Sequence, residues 1–188
     1  MSVYNIFNSM YKYAITDEKL MRLLFYVAKH KDDDVTVENE ERPNIIGGLN
    51  DQIYNNGLNE ENLTSFDIIN QVVKMRRPNA NDLSKDNPQC CVFIYLDTFE
   101  NYTVKSSSGT SIDPLGFSQN VNFDIYAHED FVNTDYRLAK LIDRIIYLFN
   151  QKHVGGLGGC TFMGATKLDD VESYEGMQVK FANKYSTR

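Results

Sequence analysis

The sequence predicts an α+β fold: a small, mostly antiparallel sheet with helices packed on one face and long protruding loops. Three observations carry that expectation. Residues 121–127 alternate apolar Val121, Phe123, Ile125 and Ala127 with polar or aromatic partners, the period of a strand. Residues 134–149 place Leu138, Leu141, Ile142, Ile145, Leu148 and Phe149 at the spacing of one helix face. Residues 160–166 and 177–183 alternate again, with Asp169, Asp170 and Gly176 marking a loop between them.

The chain opens on helical spacing, with Val3, Ile6, Phe7, Met10, Tyr11 and Ala14 recurring at intervals of three and four. Thr16 or Asp17 caps a second helix, whose apolar residues are Leu20, Leu23, Leu24 and Val27. Asp32, Asp33, Asp34, Glu38, Glu40 and Glu41 then form a dense run of like charge, and Pro43, Gly47, Gly48 and Gly57 punctuate the residues after it. A long mobile loop is expected there. The run lacks the spacing and central Gly of a calcium loop. Thr64 caps a helix with Phe66, Ile69, Val72, Val73 and Met75 on one face, ended by Pro78. Residues 89–96 are a continuous apolar run, read as a strand buried on both faces. Between 97 and 116 the chain turns polar, and Ser106, Ser107, Ser108, Gly109, Thr110 and Ser111 form a loop or hairpin tip.

The strand at 121–127 leads through His128, Glu129 and Asp130 to a helix capped by Asn133 or Thr134, with Arg137, Lys140, Asp143 and Arg144 largely on its outer side. Gly155, Gly156, Gly158 and Gly159 end it in a turn. The expected organisation is one domain over 1–188, with N-terminal helices at 3–29, an acidic loop or insertion at 31–62, and an α+β core at 64–185 carrying an extended loop at 98–118.

Charge and motifs narrow the function. A formal net charge of −7 opposes tight binding to a phosphate backbone. Lys74, Arg76 and Arg77 read as a solvated helix end. Cys90, Cys91 and Cys160 are odd in number and lack metal-ligand spacing, so buried reduced thiols are expected. Residues 1–10 lack a signal-peptide pattern, and no run approaches the roughly 18 apolar residues of a membrane span. The Ser/Gly run has no following Lys-Ser/Thr. After His128, the position of a zinc-protease second His is Val132. The glycines at 155–159 come after a helix, unlike a dinucleotide fingerprint. The chain is therefore expected to be an assembly protein and not an enzyme, with no catalytic residues, cofactor or metal. The alternative from another class is a small metal-dependent hydrolase using His128, Glu129, Asp130 and His153.

Residues 89–95, the run Asn120-Val121-Asn122-Phe123-Asp124-Ile125-Tyr126-Ala127-His128, Asp135-Tyr136-Arg137-Leu138 and Asp143-Arg144-Ile145 resemble bacteriophage neck and tail proteins. Leu20-Met21-Arg22-Leu23-Leu24-Phe25-Tyr26 and the turn at 155–158 fit the same pattern. The resemblance is to tail terminator and head-to-tail joining proteins, over about residues 16–185. It implies a virion protein of the tail or neck, assembled in the host cytoplasm. It implies a homo-oligomeric, sixfold ring that caps the tail tube and meets head connector or stopper proteins. DNA would pass through the lumen without sequence-specific contact, and no membrane would be involved. A stopper or adaptor is the neighbouring possibility. The interface residues expected on this view are Lys105, Ser106, Ser107 and Ser108 in the polar loop, Asp32, Asp33 and Asp34 in the acidic one, and His128 and Glu129 at the strand-to-helix junction.

Overall fold

The computed structural model describes residues 3–47, 53–56, 63–79, 81–83, 88–106, 109–154, 159–169 and 171–186. Two helices open the chain, α1 at Val3–Ile15 and α2 at Glu18–Phe25. Asp17 caps α2 by accepting the Leu20 N–H at 2.8 Å, and its carboxylate also holds the Arg144 guanidinium. Helix α3, Ser65–Val72, begins with a reciprocal capping box between Thr64 and Asp67.

The helix expected to run to Met75 stops at Val72. Val73 turns extended, and β1 (Val73–Lys74) pairs in parallel with Val92 and Phe93 of β2 (Cys90–Ser106). Two consecutive β-branched residues weaken the helix, and an open strand edge is at hand. Lys74 and Arg76 are accordingly not a solvated helix end: both ion-pair with the carboxylate of Asp82, at 2.9 and 2.5 Å.

Strand β3 (Gly109–His128) lies antiparallel to β2 on one side and to β5 (Tyr174–Ser186) on the other. β4 (Cys160–Lys167) completes a five-stranded sheet of order β1-β2-β3-β5-β4, mixed only at β1. The α+β expectation holds. The buried apolar side chains of the helices meet one face, where Val92, Ile94, Val121, Phe123, Ile125, Val179 and Phe181 pack against Met10, Leu20, Leu24, Leu141, Ile145 and Phe149. Phe123 anchors this layer, with its ring 4.8 Å from Phe149 and 5.5 Å from Phe181. Each such side chain contributes roughly 1.5–3 kcal/mol before entropy. A smaller cluster of Cys91, Phe93, Tyr126 and Tyr174 covers part of the opposite face. Gly176 is required there, because a Cβ would stand 2.7 Å from the Tyr126 ring.

The last helical region departs from expectation at its start. His128, and not Asn133 or Thr134, caps α4 (Glu129–Asp135). Tyr136 then takes a left-handed conformation (φ 56°, ψ 39°) and breaks the run before α5 (Arg137–Phe149). The break turns Arg137 inward. It is fully buried beside Asp135, and its Nη1 donates to the carbonyls of Leu23 and Tyr26 at 2.5 and 2.7 Å. The α4–α5 corner is thereby bolted to the end of α2. The glycine turn at 155–158 lies outside the described residues.

Residues 31–47 of the expected acidic loop pack against the core, and 48–52 and 57–62 lie outside the described residues. Val35 and Ile45 are fully buried, with Tyr54 beside them. Arg22, itself buried, donates to the carbonyls of Val35, Val37 and Pro43 at 2.9, 2.5 and 3.0 Å. Glu18 accepts the N–H groups of Ile45 and Ile46, each at 2.7 Å. Two charged side chains on α2 thus fasten the backbone of a segment whose own composition resists packing.

Candidate functional site

The segment expected as an extended loop at 98–118 is strand. β2 and β3 pair from Cys90↔Ala127 out to Ser106↔Gly109, with register shifts between Leu96 and Phe99 and between Asn101 and Thr103. The hairpin possibility is the one realised. β5 accompanies β3 as far as Gly116↔Ser186. Beyond that row, residues 103–106 and 109–112 pair only with each other among the described residues. At about 3.3 Å per residue, the 17 residues of β2 extend roughly 55 Å. The outer part of the hairpin is therefore an arm leaving the sheet body.

Chemistry explains where the arm begins. Pro114 cannot donate to a ladder, so it suits the irregular stretch where 113–116 oppose Tyr102 alone. An isolated two-stranded ribbon is marginal in water and gains from a further strand or surface. Lys105 and Ser106 end β2, paired through their backbones with Thr110 and Gly109. Ser107 and Ser108 lie outside the described residues.

The edge at β4 is treated differently. The Cys160 N–H is taken by the Lys152 carbonyl at 2.9 Å, and the Cys160 carbonyl accepts from the Gln151 N–H at 2.7 Å. Asn150 Oδ1 accepts the Phe162 N–H at 3.1 Å. A bulge between Phe162 and Gly164, with Gly164 at φ 142°, bends the remainder. Such capping and bulging keep an edge from pairing with another chain.

The other expected interface residues are scattered. Asp33 grips the Arg42 guanidinium with both carboxylate oxygens and accepts the Lys29 N–H at 2.8 Å. Its hydrogen bond from Arg42 lowers its pKa to about 2. Asp34 accepts from the Thr36 N–H and hydroxyl at 2.9 and 2.7 Å, which holds its carboxyl below the usual range. Asp32 is exposed. His128 is 5% exposed, accepts the Asp130 N–H on Nδ1 at 3.3 Å, and packs edge-on against Tyr174. Buried at this position, it shapes the strand-to-helix junction. Glu129 and Asp130 are exposed beside it.

The residues of the hydrolase alternative do not converge. His153 comes directly after Lys152, whose carbonyl bonds Cys160 in the row Cys160–Asn183–Gln119, nine residues along β3 from His128 and so about 30 Å away. Among the described residues no group of three His, Cys, Asp or Glu side chains is gathered as a metal site. Cys90, Cys91 and Cys160 are free and fully buried, and burial pushes the thiols of Cys91 and Cys160 up to about 12.

Sequence reading missed Arg22, Arg137 and the polar trio on the open sheet face, where Asp124 accepts from the Tyr95 hydroxyl and the Gln178 amide, each at 2.9 Å. Burial raises the Asp124 pKa. The signal for Arg22 was present: one charge inside Leu20-Met21-Arg22-Leu23-Leu24 must find internal partners.

Comparison with known proteins gives two matches. The family model described as YomW matches residues 17–183. The SPbeta prophage-derived uncharacterized protein YomW of Bacillus subtilis (strain 168) is 29% identical over 150 residues, which is 79% of this chain and 76% of that protein.

Proposed function

The chain belongs to the YomW family, and from that premise we propose that it is a structural protein of a phage particle, acting in the neck as a tail terminator. In this reading copies form a ring, sixfold, that caps the tail tube and joins it to the head connector. DNA passes through the lumen, where an acidic wall does not grip phosphate. The protein has no catalytic role.

The observation that carries the reading is the β2–β3 arm. It commits backbone to a ribbon that no other strand among the described residues supports, while the β4 edge is capped. An element of that kind is ordered by a neighbouring subunit or by the next protein in a stack. The prophage origin of the Bacillus relative supports a phage-associated role. The separation of His128 from His153 gives the hydrolase alternative no support.

The test is genetic and structural. Purified particles should contain the chain by mass spectrometry, at one location in the neck by cryo-electron microscopy. Phage lacking it should accumulate filled heads with unjoined or overlong tails. Normal infectious particles without the chain would overturn the assignment.

A further inference from the structure

On the outward flank of α5, Tyr147 is 65% exposed and lies between two cations, with Arg144 4.8 Å and Lys152 5.8 Å from its ring. The same flank borders a groove of about 300 Å³ that also takes in Lys19, Lys140 and Asp143. Tyr and Arg are among the side chains that most often anchor protein interfaces. Arg144 is tied to Asp17 and Lys140 to Asp135, whereas Lys152 makes no ion pair among the described residues.

The opposite end of the sheet offers the complement. A polar cleft of about 370 Å³ lies between the start of α4 and the β4–β5 turn, lined by Glu129, Asn133, Lys167, Ser173, Tyr174 and Glu175. Glu129 and Glu175 are exposed and have no ion pair among the described residues. Lys167 offsets part of this charge, and Asp130 and Asp169, exposed on the same turns, add to the negative field.

We propose that the Arg144–Tyr147–Lys152 cluster of one copy seats in the Glu129–Glu175 cleft of a second copy. The occupant is a second copy because one chain carries both halves of the charge match, at a distance that keeps them from meeting internally. Lys152 sits at the row of Gln119 and Glu175 at the row of Ala127, eight residues along β3 and about 26 Å away. A contact between two different patches is heterologous, so each copy gives a cluster to one neighbour and a cleft to the other, and the series closes into a ring. The proposal rests on the ring-forming reading above and names its lateral contact. It is independent of the arm.

Light scattering at low and at moderate ionic strength tests it on the full chain. The wild type is expected to self-associate at low salt and to weaken as salt screens the pairs. Lys152→Glu and Glu175→Lys should each raise the dissociation constant roughly tenfold or more, since like charges then meet. An equal mixture of the two variants should recover association, because each cluster then faces an opposite cleft, and an even-numbered ring permits the alternation. Both positions are exposed, so circular dichroism should show native folding in each variant. A wild type that stays monomeric at low salt, a reversed variant that assembles normally, or a mixture that fails to recover would overturn the proposal. Phage carrying Lys152→Glu that assemble normally sink this contact and leave the neck assignment standing. Absence of the chain from particles sinks the assignment, and the mixing result still decides the contact.

Discussion

Residues 31–47 and the β2–β3 arm look alike in the sequence, both polar and poor in core residues, yet they end in opposite conditions. The first is fastened to α2 by Arg22 and Glu18, which satisfy three carbonyls and two N–H groups of its backbone. The second satisfies itself by hairpin pairing and receives nothing from β5 beyond the row of Gly116. A segment's order is decided by which groups supply its hydrogen-bond partners. In the acidic segment the supplier is an earlier helix. In the arm it is the facing strand of the same hairpin.

The contrast can be broken from the fastened side first. Arg22→Ala removes a buried guanidinium and strands three carbonyls, so we expect a loss of about 3–5 kcal/mol in urea denaturation. A loss below about 1 kcal/mol would mean the segment stays in place without its fastening. Glu18→Ala leaves the N–H groups of Ile45 and Ile46 unpaired, for an expected loss of about 1–2 kcal/mol by the same measurement.

The Asp33 pKa is depressed to about 2, so its contribution is full above the ordinary carboxylate range and is lost as pH falls from about 4 to 2. Asp33→Asn should therefore cost about 1 kcal/mol at about pH 6 and flatten the acid limb of the stability curve. An unchanged acid limb would show that the Asp33–Arg42 pair adds nothing. Deleting residues 105–111 should have the smallest thermodynamic effect, moving the thermal midpoint by no more than about 2 °C while abolishing assembly. Loss of the cooperative transition would show that the arm belongs to the fold itself.

Periodicity made the sheet and its helical cover legible. The alternation at 121–127 and the stripe from Leu141 to Phe149 each rest on residues within one element, and both faces came out as read. What failed depended on residues distant in sequence. Val73 became strand because Val92 lay beside it. The charge run at 32–41 packed because Arg22 and Arg42 met it. Arg137 turned inward because Tyr136 adopted a left-handed conformation, a change at one residue that no helical pattern signals. Of the expected interface residues, the hairpin's position and Glu129 gained a structural argument. The cluster at Tyr147 and the cleft at Glu175 draw on residues from several elements that only the fold brings together.

The sealed thiols have a practical consequence. Cys90 and Cys91 sit on an inner strand and Cys160 begins the outermost one, all without solvent exposure. An alkylating reagent can reach them only when strands part, so labelling speed gauges breathing of the native sheet with no introduced probe. If Cys160 reacts before the adjacent pair, the sheet frays from its β4 side; simultaneous reaction means it opens as a whole.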